Sequence, residues 1–303
     1  MNNHSYRLRC KLVLFSSLML AASVATTGAA EPQVELLWPQ GAPDAKGDKP
    51  ADKPALTIFL PEEQKAVGTA VVIYPGGGYG LVATDDGRIV AQWLNTFGVA
   101  GFVVNYRQRG EGYGHPAPLQ DAQRAIRIVR ARAAEWKIVP NRIGVLGISA
   151  GGHLASTVGT HFDKGNPNSA DPVERVGCRP DFLILCAPVI ALNEPYTHVG
   201  SQTNLLGANA DPALVRSLSS EKQVTAETPP TFLFHTDEDS LVPPENSVQF
   251  YLALRRAGVP AEMHIYRKGP HGAGIVPDVV FGTSTWWERL RDWMQVQGLL
   301  DGR

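Results

Sequence analysis

Apolar runs of five to seven residues recur along the chain, and between them lie longer stretches whose apolar positions step by three and four. The runs at 33–38, 55–60, 70–74, 100–106, 142–148, 182–187, 231–235 and 261–266 read as strands. Several are continuously apolar rather than alternating, which suits a parallel sheet covered on both faces. Leu119, Ala122, Ile126, Val129, Ala133 and Trp136 form one helical stripe with arginines largely opposite; Ile89, Val90, Trp93, Leu94 and Phe97 form a second. Residues 244–257 and 284–297 supply two more helices, and a small-residue helix opens after residue 149. Strand followed by helix in this rhythm predicts an α/β protein, a doubly wound and mostly parallel sheet of about eight strands.

The first 30 residues stand outside that rhythm. Arg7, Arg9 and Lys11 precede an apolar stretch over 12–24, and Gly28-Ala29-Ala30 are small, so the segment reads as a secretory signal cleaved after Ala30 or Ala25. It is too short and Ser-rich for a stable membrane span. Residues 31–303 are then expected to form one domain of an exported protein, periplasmic or secreted, with no membrane attachment after cleavage.

A 303-residue chain that is 44% hydrophobic can bury one sizeable core, and its net charge of -1 argues against nucleic acid as the main partner. Cys178 and Cys186 lack metal-ligand spacing, and Cys186 ends an apolar run, so two buried thiols are expected rather than a bridge. Residues 189–230 form the longest connection. Asp211-Pro212 within it marks a helix start, and the segment reads as an insertion over the strand ends.

Candidate chemistry begins at Gly147-Ile148-Ser149-Ala150-Gly151, which lies between a strand and a helix. A Ser in that turn, flanked by glycines, has the form of a nucleophile elbow; the bland alternative is a Ser that merely caps the helix. Chain order decides between them. His271, in the Gly/Pro-flanked loop after the last strand, is the expected base. The acid is expected in the loop after the strand at 231–235, where Asp237, Glu238 and Asp239 compete. The chain must pass the sheet edge before turning back towards the His, which favours Asp239, leaving Asp237 to brace the turn and Glu238 solvated. His235 reads as packing under that loop. The strand at 70–74 runs into Pro75-Gly76-Gly77-Gly78, so Gly77 and Gly78, with Ala150, are the candidate oxyanion-hole donors. No Lys-Ser/Thr accompanies the glycines, which speaks against a phosphate loop.

With the oxyanion loop, Ser, Asp and His in that order, the chain resembles the α/β-hydrolases, and within them exported bacterial esterases of the acetylxylan-esterase and BD-FAE type. The resemblance rests on residues 74–79, 118–125, 141–155, 235–243 and 269–272, and it spans 31–300. It implies a serine esterase that removes acetyl or other short acyl groups from acetylated polysaccharide or oligosaccharide, with no metal or organic cofactor. One departure stands out. Pro75 occupies the place of the His in the His-Gly-Gly-Gly of many relatives, so the loop needs other support.

Tyr79, Tyr113, His115, Tyr196 and His198 fall on loops and are candidates to stack on or bond a sugar. Gly80, Ala150 and Gly152 suit a short acyl group. His153 reads as a packed or capping residue, Asp121 as a first-turn helix carboxylate and Arg88 as a surface charge. Other functions that the same residues allow are a generic short-chain carboxylesterase or lipase, a serine peptidase and a silent sugar-binding protein. The polar 189–230 segment is unlike an apolar lipase lid, no room remains for the extra domain usual in such peptidases, and a complete triad speaks against the silent binder.

Overall fold

Eight strands in the order β1-β2-β4-β3-β5-β6-β7-β8 make the sheet of the computed structural model, which describes residues 32–275, 283 and 285–302. They are β1 (Gln33–Leu36), β2 (Ala55–Phe59), β3 (Ala70–Tyr74), β4 (Ala100–Asn105), β5 (Ile143–Ile148), β6 (Leu183–Cys186), β7 (Thr231–Thr236) and β8 (Ala261–Tyr266). Each expected strand is present. The β1–β2 and β2–β4 pairs are antiparallel and the others parallel. The signal segment and Ser284 lie outside the described residues.

Helices α1 (Thr84–Asn95), α2 (Ala117–Ala131), α3 (Ala150–Thr160), α4 (Val199–Leu206), α5 (Pro212–Ser217), α6 (Glu245–Arg256) and α7 (Trp286–Val296) complete the fold. Their apolar faces sort by side. Val90 and Leu94 of α1 and Trp286 and Leu290 of α7 share one buried cluster with Val71 and Ile73 of β3. Ala122 and Ile126 of α2, Leu154 of α3 and Phe250 of α6 share the other with Val72 and Tyr74, the alternate residues of that strand. Strand side chains point to opposite faces in turn, so one continuously apolar strand feeds both cores.

Residues 189–230 carry α4 and α5, and the Asp211 carboxylate caps α5 by accepting from Ala213 N–H at 2.9 Å. Cys178 and Cys186 are both free and buried, as expected. One expectation fails. Asp121 lies beyond the first turn of α2, fully buried, and accepts from Arg107 Nε and Nη2 at 2.9 and 2.8 Å. Arg124 and Arg127, on the side of α2 opposite the apolar stripe, are engaged in ion pairs: Arg124 with Asp171 and Glu174, and Arg127 with Asp163. Segment 163–175 covers the polar side of α2, a long-range contact that helical spacing cannot reveal. Arg88 is a surface charge beside Asp85.

Candidate active site

The strand order reverses at β3: β4 lies on one side of it and β5 on the other. In such sheets ligands bind beyond the strand C-termini at that switch point. Register pairs Tyr74 with Gly147, so the loop after β3 and the turn after β5 leave the sheet side by side. Likewise Thr236 of β7 pairs with Tyr266 of β8, and the loops after these two strands emerge together.

Ser149 occupies the turn between β5 and α3 at φ 57°, ψ -122°, a conformation that costs a non-glycine residue roughly 1–3 kcal/mol. The surroundings fix it: Ser149 N–H donates to Cys186 O, and its own carbonyl accepts from Val189 N–H, each at 3.0 Å. A Cβ on Gly147 would run into Gly151 O, and one on Gly151 into Tyr74 O, so these two glycines permit the turn. The Ser149 side chain does not cap α3. Its hydroxyl instead donates to His271 Nε2 at 2.8 Å, while His271 Nδ1–H donates to Asp239 Oδ2 at 2.6 Å.

β8 is three strands from β5, roughly 14 Å at ordinary strand spacing, so His271 reaches Ser149 only from a loop that folds back over β6 and β7. Glu238 helps hold that fold-back. It is exposed, as expected, but its carboxylate accepts from Lys268 Nζ and from Gly269 N–H. Asp237 is exposed, and its N–H donates to Tyr266 O at 2.7 Å, which braces the turn.

Asp239 is buried. Burial alone would raise its pKa, but hydrogen bonds from His235, His271 and Val242 N–H outweigh it and hold the carboxyl well below the usual range. His235, fully buried beneath the loop, donates from Nε2 to Val242 O at 2.8 Å and accepts at Nδ1 from Ser247 at 2.7 Å.

The loop after β3 presents Gly77 and Gly78 at φ 128° and 61°. Because the peptide is planar and trans, a pinned carbonyl also fixes the direction of the next N–H. Gly76 O accepts from Ala83 N–H at 3.0 Å, which orients Gly77 N–H; Gly77 O accepts from Gly80 and Leu81 N–H, which orients Gly78 N–H. Neither Gly77 N–H nor Gly78 N–H has a backbone acceptor among the described residues. Tyr106 Oη donates to Pro75 O at 2.8 Å, support that the sequence left unidentified when Pro75 replaced a His.

The candidate sugar contacts divide. Tyr79 is buried at 1% exposure, and its hydroxyl donates to His153 Nδ1 at 2.8 Å, so it braces the loop from within. His153 Nε2–H donates to Leu218 O at 2.8 Å, and burial pushes this imidazole down to about 4. Tyr113 is also buried and donates to Asp52. Both tyrosines are therefore removed from the substrate-contact set. His115 is half-buried, with its N–H on Leu205 O. Tyr196 is half-buried beside Asn246, which donates to its carbonyl. His198 bonds Ser201 Oγ through Nδ1 at 2.7 Å, and its Cε1 comes within 3.7 Å of where a Gly78 Cβ would sit. Burial depresses the His198 imidazole, with the charge of His271 acting in the same direction, so it stands within electrostatic reach of the triad. The small residues have packing reasons: a Cβ on Gly152 would lie 2.6 Å from Pro188 Cβ, and one on Gly80 3.2 Å from Asn204 Nδ2.

This sheet with this constellation defines the α/β-hydrolase class. The chain belongs to the BD-FAE family, whose model matches residues 56–254. It is 38% identical over 242 residues to an acetylxylan esterase of Xylanibacter ruminicola, an alignment covering 78% of this chain and 45% of the relative. To endo-1,4-beta-xylanase B of Butyrivibrio fibrisolvens it is 36% identical, over 70% of this chain and 33% of that protein. The chain thus spans less than half the length of these two curated relatives. A solved structure, the acetyl ester-xyloside bifunctional hydrolase of Caldicellulosiruptor lactoaceticus, superposes with a TM-score of 0.83 at 46% identity, covering 90% of this chain and 99% of that one.

Proposed function

We propose that the protein is an exported serine esterase that removes acetyl or other short acyl groups from xylan or a related plant polysaccharide. The observation that carries the reaction type is the unbroken chain Ser149–His271–Asp239, with hydrogen bonds of 2.8 and 2.6 Å. As Ser149 Oγ attacks the ester carbonyl, His271 Nε2 takes its proton, and the imidazolium is stabilised by the ionised, buried Asp239. Negative charge gathers on the carbonyl oxygen, where Ala150 N–H and Gly77 or Gly78 N–H receive it. A donor of this kind contributes roughly 3–4 kcal/mol in the transition state. The Ser149 elbow at the start of α3 adds the favourable end of a helix dipole. Collapse of the tetrahedral intermediate breaks the ester C–O bond, and His271 returns the proton to the departing sugar oxygen. Water then attacks the acyl-Ser149, again through His271, and releases the carboxylic acid.

The substrate class is supported by the names of the relatives that align over most of this chain, an acetylxylan esterase and an acetyl ester-xyloside hydrolase. Export is supported by the basic-then-apolar N-terminal sequence. Acid release from acetylated xylan, acetylated xylo-oligosaccharides and p-nitrophenyl esters of increasing chain length tests the reading. Acetate release is expected to exceed release from butyrate and longer esters. Equal or greater activity on long-chain esters would leave a generic carboxylesterase.

A further inference from the structure

Gly77 O accepts from Gly80 N–H at 2.9 Å, so residues 77–80 form a tight turn whose central residues are Gly78 and Tyr79. Both have positive φ, 61° and 57°. That is the turn type in which two successive residues adopt a conformation glycine tolerates and a tyrosine resists. Rotating the central peptide, between Gly78 and Tyr79, would return Tyr79 to negative φ and produce the related turn with only its first central residue at positive φ. Local preference at Tyr79 therefore opposes the observed loop.

One contact to that central peptide comes from far along the chain. Asn204 Nδ2, on α4, donates to Gly78 O at 2.9 Å, across 126 residues of sequence. Rotation of the peptide would carry that carbonyl away and leave the amide without it. Asn204 is itself anchored. Its backbone carbonyl accepts from Arg109 Nε at 2.8 Å, and the next carbonyl, of Leu205, accepts from His115 N–H at 2.9 Å. Arg109 N–H in turn donates to Tyr79 O at 2.8 Å. The Gly78–Tyr79 segment is thus held on both sides by the α4 end and the loop after β4.

We propose that Asn204 is a positioning residue for the oxyanion loop: its side-chain amide holds the Gly78–Tyr79 peptide, and so keeps in its observed form the 77–80 turn whose Gly77 carbonyl fixes the direction of Gly78 N–H. The proposal rests on the esterase reading above and adds a role for the 189–230 insertion. Asn204 touches no reacting atom, and its effect passes through the loop.

The test uses Asn204→Asp, which keeps the shape but replaces the donor with an acceptor facing Gly78 O, alongside Asn204→Ala. Rates for p-nitrophenyl acetate are normalised to active sites titrated with a fluorophosphonate, and thermal midpoints are recorded. The expected result for Asn204→Asp is a fall in kcat of about tenfold or more with KM changed less than about threefold, a fraction of what losing one oxyanion donor costs. Affinity for a boronic acid, which mimics the tetrahedral intermediate, is expected to fall in parallel with kcat/KM. A merely structural residue would change the titratable fraction and the thermal midpoint while leaving kcat per active site and boronate affinity intact, and that result overturns the proposal. Ser149→Ala in the same assay separates the two readings. If the wild type shows no esterase activity that depends on Ser149, the esterase reading fails and this one with it; if that activity is present and Asn204→Asp matches wild type, this one alone fails.

Discussion

His235 Nε2 lies 3.4 Å from Asp239 Oδ2, the same oxygen that accepts from His271 at 2.6 Å. The other oxygen, Oδ1, accepts from Leu241 and Val242 N–H at 3.1 and 2.9 Å. The acid is thus held from below by a buried imidazole and from the side by its own loop. It cannot swing away from His271 without giving up these donors, which is the fixed geometry that an orienting carboxylate requires.

Replacing that carboxylate is expected to disable the imidazole's orientation rather than the fold. Asp239→Asn should lower kcat by about 10³–10⁴-fold. Asp237→Asn, at the exposed neighbouring position, should stay within about twofold of wild type. Acetate release per folded enzyme checks both, and comparable losses in the two variants would refute the choice of acid.

The two oxyanion glycines should differ in tolerance. A Cβ on Gly77 collides with Leu81 O at φ 128°, whereas a Cβ on Gly78 meets nothing nearer than His198 Cε1 at 3.7 Å. Gly77→Ala is expected to lose about 100-fold or more in kcat, comparable with loss of an oxyanion donor. Gly78→Ala carries mainly the left-handed backbone penalty of about 1 kcal/mol and should lose no more than about tenfold. Steady-state kinetics on p-nitrophenyl acetate reads the order.

Acid sensitivity of the fold should include a contribution from His153. Its imidazole titrates at about 4 when folded against 6.5 for an ordinary His. Between those values the unfolded chain binds a proton that the native chain refuses, so stability falls as pH drops from 6.5 towards 4, by up to about 3 kcal/mol. Above 6.5 this contribution is constant. Urea unfolding of wild type and His153→Phe across that window is expected to show a shallower pH slope in the variant; identical slopes would contradict the assignment.

The Arg107–Asp121 pair should matter for stability more than for chemistry. Both side chains are fully buried, and Asp121 also accepts from Trp38 Nε1 at 3.0 Å. Asp121→Ala leaves a buried guanidinium without its carboxylate, which typically costs about 3–5 kcal/mol. Denaturant unfolding is expected to show that loss, with kcat per active site within about threefold of wild type.

Ser149, Asp239 and His271 were legible because each follows a strand C-terminus, and strand order in a parallel sheet is a strong geometric constraint. The inner strands β3, β5 and β6 were legible for a related reason, since they are buried on both faces and apolar throughout. Side-chain environment was not. Tyr79 and Tyr113 sit on loops, as expected, yet both turn inward to partners 74 and 61 residues away, His153 and Asp52. The partners of the α2 arginines, Asp163, Asp171 and Glu174, were not legible either, because the segment that carries them has no periodic pattern. Asn204 left no trace in the sequence, since its partner is a backbone carbonyl on a distant loop, and any residue could supply that group.

The central claim, that Ser149 is the nucleophile of an ester hydrolase, is tested most directly by acetate release from acetylated xylan by wild type and Ser149→Ala at matched folded concentration. Wild type is expected to release acetate, and the variant to fall by at least about 10⁴-fold with its thermal midpoint retained. Release at near wild-type rate by Ser149→Ala would contradict the account.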